Sequence, residues 1–341
     1  MSPAEVTPLA HEFISWVGLS LNIYEATIVC PLTEPCDLNP VLDALNKHVL
    51  DEARISLYGA FVPSSLLNRL FSEWGQVELI GCALGEDWWL PPTDARRCAA
   101  LSLTNCTAFP SQTIEYGCAS WCELEVLFVN EGVWDASLAS PNEYGPTHDS
   151  GFPAGTAAIV TAFSHPGLNQ LSVNWCPNVS FLTSLPVSNL SDIWLSGSPT
   201  DNQVLAWIAN HPCLGHVSIS WKPGTKLDWG LLGKMRKLRG LDVASSTFSD
   251  SDLATVATHT RLRVIWGYYT NLTPASWPLV LSMRWLKQIW VSTEMLHGPM
   301  PTGLPPTTKL VEVVSLNVGQ PHLEYLKKLL EPYPLVKTCE M

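Results

Sequence analysis

Leucines recur at positions 190, 214, 238, 262, 286 and 310, each 24 residues after the one before. A fixed period of that length marks stacked structural units, so the search for a fold starts from the repeat. Three residues on, the column reads Ile193, Val217, Leu241, Ile265, Ile289 and Val313; two beyond that it reads Leu195, Ile219, Val243, Gly267, Val291 and Ser315. Most units therefore open as L-x-x-L-x-L, the apolar–polar alternation of a half-buried strand. A second set of columns, Leu205, Trp229, Leu253, Trp277 and then Ile208, Leu232, Val256, Val280, lies mid-unit at the spacing of one helical face. Each unit is one strand and one helix. Such a pair cannot hide its apolar side alone, and its stability must come from stacking on its neighbours.

Local chemistry agrees with that division. Asp201, Asp250 and Asp252 open helical segments, where short oxygen-bearing side chains cap free amides and negative charge suits the helix dipole. Lys234, Arg236 and Lys237 close another; cations complement a helix C-terminus, which is favoured here over an anion site.

The pattern L-x-x-L-x-L at a period of 24 residues, with a helical second half, resembles the leucine-rich repeat family, and most nearly its ribonuclease-inhibitor-like or bacterial solitary type. The resemblance implies an α/β right-handed solenoid, or horseshoe, with a parallel concave sheet and helices on the convex side. It implies protein–protein binding as the common task. One feature departs from the family pattern. The Asn three residues after the last strand leucine is replaced by Ser198, Lys222, Ser246, Thr270 and Glu294; the hydroxyls can bond local backbone in its place.

Carried backwards, the register finds Leu168-x-x-Leu171-x-Val173, Leu124-x-x-Leu127-x-Val129 and Cys98-x-x-Leu101-x-Leu103, then Val77 to Ile80, Ile55 to Leu57 and Thr27 to Val29. Forwards, a helix over His322–Leu330 leads to a closing strand at Leu335-Val336, while Pro301, Pro305 and Pro306 exclude a regular helix in the unit before. The expected organisation is an N-terminal helical cap over 1–24, built on Phe13, Ile14, Trp16 and Val17, and a solenoid of about twelve strands over 25–341. An insertion loop over 131–153 carries Trp134, Tyr144 and Phe152, and contact with a ligand and passive decoration are equally open to it.

Alternate strand residues face opposite sides of a sheet, so the residues between the aliphatic columns line its open face. Those columns read Asp192, His216, Gly240, Val264, Gln288, Glu312; Trp194, Ser218, Asp242, Trp266, Trp290, Val314; and Ser196, Ser220, Ala244, Tyr268, Ser292. Strands lie about 4.8 Å apart, which sets Trp266 beside Trp290, with Tyr268 adjacent and Trp194 about 14 Å away. A strip of aromatics marks an interaction surface, although Trp is also a good sheet former in its own right. Trp194, Trp266, Trp290 and Tyr268 are the expected anchors, flanked by Asp192, Asp242, Glu312, His216 and Gln288. The acids favour a partner with basic and apolar groups. Trp207, Trp229 and Trp277 fall on the helical side as packing residues.

Composition narrows the function further. With 31 acidic and 19 basic residues, a charge of -12 opposes nucleic acid, whose binders carry a basic face. No segment has the length or apolarity to span a membrane or act as a secretory leader. Ten cysteines without a CxxC pair suit buried thiols in the cytoplasm. Cys118 and Cys122 lack partners at zinc-like intervals, and His216 stands without a nucleophile in register. No G-x-S-x-G, H-E-x-x-H, P-loop or G-x-G-x-x-G motif occurs. The expected protein is a non-enzymatic, cytoplasmic interaction scaffold with no cofactor or metal, for which a monomer suffices. A carbohydrate-binding module using the same stacked Trp residues is the alternative.

Overall fold

In the computed structural model, the described residues are 18–22, 25–30, 37–45, 53–84, 98–104, 106–108, 124, 126–130, 160, 164, 166–176, 178–185, 187, 189–219, 226–259, 261–316 and 319–340. They form two compact units, one of Met1–Cys176 with Leu185–Ser188, the other of Pro177–Ser184 with Asn189–Met341.

The first unit contains β1 (Gly18–Asn22), β2 (Glu25–Val29), α1 (Asn39–Leu45), β3 (Arg54–Tyr58), β4 (Phe61–Val62), α2 (Ser64–Glu73), β5 (Gln76–Ile80), β6 (Ala83–Leu84), β7 (Ala100–Thr104), β8 (Thr107–Ala108), β9 (Val126–Asn130) and β10 (Gln170–Asn174). Strands β2, β3, β5, β7, β9 and β10 pair in that order, all parallel. Their inward columns, among them Ile28, Leu57, Leu79, Leu103, Val129 and Val173, are buried. Short β4, β6 and β8 form a separate parallel ribbon. The described part of the 1–24 segment is not helical: β1 pairs antiparallel with β2, Asn22 opposite Glu25. Its sequence Gly-Leu-Ser-Leu-Asn alternates with a period of two, which is a strand's period and not a helix's. Phe13, Ile14, Trp16, Val17 and the 131–153 insertion with Trp134, Tyr144 and Phe152 lie outside the described residues, as do Cys118 and Cys122.

In the second unit β11 (Asp192–Trp194), β12 (His216–Ser218), β13 (Gly240–Asp242), β14 (Val264–Trp266), β15 (Gln288–Val291), β16 (Glu312–Ser315) and β17 (Lys337–Glu340) stack in chain order, all parallel. The other side carries α3 (Asn202–Ala209), α4 (Asp250–His259), α5 (Trp277–Ser282) and α6 (Gln320–Leu330). Between them lie 3₁₀ turns over Ser180–Ser184, Trp229–Lys234, Pro274–Ser276 and Thr293–Leu296. Gly230 and Gly233 weaken an α-helix at Trp229–Lys234, and the tighter 3₁₀ form serves for so short a piece. No helix occurs from 297 to 311, the span of the three prolines. Repetition of strand and helix, each unit stacked on the last, makes an α/β solenoid.

The closing strand keeps the 25-residue spacing, with Lys337 opposite Glu312, but its column leucine is not in the core. Leu335 is 88% exposed and precedes β17, while Tyr333 is the buried residue and donates its hydroxyl to the Pro305 carbonyl.

The post-strand ladder is held differently in the two units. In the second, Ser246 Oγ donates to Val243 O at 2.5 Å and accepts from Phe248 N at 3.2 Å, and Thr270 Oγ1 donates to Gly267 O at 2.7 Å. In the first, three repeats hold cysteine at the equivalent position: Cys82 and Cys106 lie three residues beyond Leu79 and Leu103, and Cys176 three beyond Val173. Cys82 Sγ donates to Leu57 O and Cys106 Sγ to Leu79 O, both at 3.3 Å, so each thiol reaches the backbone of the preceding repeat.

Helix starts are fastened between units as well as within them. Asp201 caps α3, accepting from Gln203 N at 2.9 Å and Val204 N at 2.8 Å. For α4 the cap is Ser249, whose backbone N and Oγ donate to Asp252 Oδ2 at 2.9 and 2.7 Å. Asp250 is thereby released from the capping role expected of it. It accepts from Thr273 N at 2.8 Å and Thr273 Oγ1 at 2.6 Å and also from Ser276 Oγ, tying its unit to the next. Removing this partly exposed acceptor with Asp250→Ala should cost about 1.5 kcal/mol, the range for hydrogen bonds to a charged group. Urea unfolding measures it; a change within ~0.5 kcal/mol, typical of neutral surface sites, would show water replacing the carboxylate fully.

Candidate functional site

The pairing register sets Asp192 opposite His216, His216 opposite Gly240, Val264 opposite Gln288 and Gln288 opposite Glu312. In the next column Trp194 pairs with Ser218, Asp242 with Trp266, and Trp266 with Trp290. The aliphatic residues between, Ile193, Val217, Leu241, Ile265, Ile289 and Val313, are all fully buried. The nine residues expected on the open face all retain partial exposure. Five of their column neighbours do not: Gly240, Ser218, Ala244, Ser292 and Val314 are buried, so the accessible strip is narrower than its columns.

His216 joins what the sequence leaves apart. Its ring centroid lies 5.2 Å from that of Trp194, edge-on at 71°, and 5.1 Å from that of Trp266 at 58°. Gly240 makes this possible. A Cβ there would stand 2.7 Å from His216 Cδ2 and 3.2 Å from Trp266 Cζ3, so the two rings close over the residue that has no side chain. Beyond Trp290, Tyr268 follows at 6.4 Å and Tyr269 at 5.7 Å from Tyr268. Tyr269 was not expected in the site. It is 47% exposed with φ of 54°, a left-handed conformation that a bulky residue rarely adopts. Gly197 and Ser245 hold the same conformation at φ of 70° and 56°, at positions on the same 24-residue register. Ser292 Oγ accepts from Tyr269 N at 3.1 Å and steadies the turn.

Carboxylates punctuate the strip. Asp192 Oδ1 lies 3.8 Å from His216 Nδ1. Burial pushes the His216 imidazole below its ordinary value, although Asp192 and Asp242 both pull the other way. Asp242 accepts from Ser218 Oγ at 2.8 Å and from Ala244 N at 3.0 Å, yet burial still pushes its carboxyl up. Burial first and then the Asp242 charge raise the Tyr268 phenol. Gln288 Nε2 donates to Glu312 Oε2 at 2.7 Å. Two ring nitrogens, His216 Nε2 and Trp290 Nε1, are buried without a hydrogen-bond partner, an arrangement uncommon enough in folded proteins to need a reason.

The Ser218 hydroxyl is committed to Asp242, not His216, and among the described residues no cluster of three His, Cys, Asp or Glu side chains could hold a metal ion. No helix among them is long and apolar enough to cross a membrane. The opposite side is core: Trp277 is 0% exposed and donates Nε1 to Met295 O at 2.9 Å, and Trp229 meets Phe248 edge-on at 4.9 Å. Trp207 packs edge-on against His211 at 4.4 Å.

No family model matches the chain, and no curated protein matches it. Among solved structures, a chain in the Toll–Spatzle complex of Drosophila superposes with a TM-score of 0.54 at 10% identity, covering 95% of this chain and 44% of that one. The present chain thus spans less than half the length of that neighbour. An internalin of Listeria monocytogenes aligns over 87% of both chains at 14% identity, with a TM-score of 0.42. At 10% identity the Toll–Spatzle likeness speaks for architecture alone, in agreement with the α/β solenoid described above.

Proposed function

We propose that the chain is a non-enzymatic interaction scaffold whose open sheet face binds a protein with basic and apolar groups. The observation that carries this reading is the ring series Trp194, His216, Trp266, Trp290 and Tyr268, which four repeats supply between β11 and β15, with every member partly exposed. Fully covering one such ring is worth ~2–3 kcal/mol from area alone, and about half of that is left to gain when half the ring is already packed. Several rings in one strip supply the central anchor cluster of a protein interface. Asp192, Asp242 and Glu312 supply the complement for a cationic partner. The unpaired Trp290 Nε1 supports the same reading, because a small ring shift against a partner's carbonyl would satisfy a donor that is costly to leave unmade. Cys82, Cys98, Cys106, Cys213 and Cys339 carry thiols and not disulfides, in keeping with a cytoplasmic setting.

A sugar ligand is the second reading, since rings beside Gln288 and Glu312 also suit pyranose faces and hydroxyls. Capture from native lysate with wild-type protein and with Trp266→Ala/Trp290→Ala separates the two. Loss of specific protein partners in the double variant, at unchanged melting temperature, is the expected result; retention of all of them would remove the anchor role. A glycan array positive only for wild type would transfer the site to carbohydrate.

A further inference from the structure

Nine of the chain's 19 lysines and arginines lie between residues 234 and 309, where only Asp242, Asp250, Asp252 and Glu294 oppose them. The fold sorts these charges to opposite ends of the units. The acids belong to strands, to helix starts or to the turn after β15, and the cations gather where the chain enters each strand. Immediately before β13, β14, β15 and β16 stand Arg239, Arg263, Lys287 and Val311, joined N to O in a ladder at 2.7, 2.8 and 2.8 Å. Two residues earlier in each unit stand Lys237, Arg261, Trp285 and Lys309. The result is two rows of four positions, six of them cationic, with Trp285 and Val311 as apolar members that are 41% and 46% exposed.

None of these six cations forms an ion pair with a described carboxylate. The contacts they make are to neutral atoms: Arg239 Nη1 donates to Arg236 O and Leu238 O at 3.0 Å, and Lys287 Nζ to Lys309 O at 3.4 Å. Helix electrostatics explains cations in a last turn, and its effect fades beyond that turn. Here α4 ends at His259 and α5 at Ser282, while Arg263 and Lys287 lie further along, beside the strands. The rows therefore hold more charge than the helix ends need.

We infer that this strand-entry edge of the second unit is a docking surface for a short, extended acidic protein segment carrying an apolar side chain. Charge complementarity names the sign of the partner, and the apolar members name its class. Val311 offers aliphatic surface that a phosphodiester backbone has no group to cover. The Trp285 ring is already engaged by guanidiniums, with Arg261 Cζ and Arg284 Cζ at 5.6 and 5.1 Å from its centroid, so a stacking base would have to displace them. A long polyanion would also meet the field of a chain with net charge -12, whereas a short segment senses little beyond a Debye length of ~8 Å at physiological salt. Adjacent strands at about 4.8 Å make the four-position row roughly 14 Å long, the reach of about four extended residues.

Fluorescence anisotropy on the full chain tests this with three labelled probes: an Asp/Glu-rich peptide with one central Leu, its Asn/Gln counterpart, and oligo-dT of similar length. The acidic peptide should bind, weaken with added NaCl, and lose on the order of tenfold in affinity in Arg263→Gln/Lys287→Gln, which is about 1.4 kcal/mol. Val311→Ser should weaken the Leu-bearing peptide and leave a Leu→Ser version unaffected. Trp266→Ala/Trp290→Ala should bind the peptide as wild type does, so that failure of this edge and failure of the open face are told apart. Absence of peptide binding, or binding indifferent to Arg263 and Lys287, would overturn the inference. Equal binding of oligo-dT with the same dependence on those residues would replace the protein partner with a nucleic acid.

Discussion

Replacing Trp277 with alanine should lower stability by about 3–5 kcal/mol, the range for truncating a fully buried large aromatic. The ring is 0% exposed and its Nε1 holds the Met295 carbonyl of the next unit, so the variant loses packing and leaves an acceptor without its donor. In a solenoid each unit leans only on its neighbours, and the loss should spread along β14 to β16 first. Urea unfolding followed by far-UV circular dichroism measures the size of the effect. Hydrogen exchange should place the earliest loss of protection in those strands. Trp285, 41% exposed at the strand-entry edge, is the control, and its alanine variant should stay within ~0.5 kcal/mol of wild type. Equal losses at the two sites would mean that Trp277 is not a core residue.

The second large effect runs against the repeat. Gly267 interrupts a column of Leu195, Ile219, Val243 and Val291, and restoring the consensus with Gly267→Val looks like an improvement. It should instead cost about 1–3 kcal/mol through overpacking. A Cβ at this position would already sit 3.1 Å from Leu272 Cδ1 and 3.4 Å from the Trp290 carbonyl oxygen, before either branch of valine is placed. Leu272 is itself 0% exposed and fills the space that the column's side chain takes elsewhere. Leu272→Ala in the Gly267→Val background should therefore recover part of the loss, and a double-mutant cycle reads that coupling directly. Additive losses would show that the two residues do not share the space.

The contrast between Trp277 and Trp266 is readable from the residues alone, because a strict period assigns each position to a column and each column to core or surface. The same ruler placed Asp242 opposite Trp266 and Gln288 opposite Glu312. What it could not show depends on packing between units. His216 spans from Trp194 to Trp266 only because the intervening Gly240 has no side chain, and nothing in either column says which way the imidazole turns. Asp250 has the residue type and place of a helix cap, yet Ser249 and Asp252 satisfy that end between them and free Asp250 for the neighbouring unit. Tyr269 sits at a left-handed position that carries glycine at 197, and the substitution gives no warning of its conformation. The strand-entry cations were legible in principle, since Arg239, Arg263 and Lys287 keep the leucine spacing. Considered one helix at a time, they pass for dipole partners.

The cysteine rungs put an oxidisable atom at the ladder position where Ser246 and Thr270 carry a hydroxyl. Sulfur at Cys82 and Cys106 ties a repeat of the first unit to the backbone of the repeat before, where oxygen at Ser246 and Thr270 in the second bonds within its own repeat. Burial pushes the Cys98 thiol up to about 12, which keeps it protonated and slow to react. Such groups are safe only while they stay enclosed. Once the first unit breathes open, peroxide or an electrophile can convert a rung into a bulkier, charged group that no longer fits its slot, whereas an alcohol rung closes again unaltered. Oxidation of either rung would therefore cut the tie between one repeat of the first unit and the repeat before it.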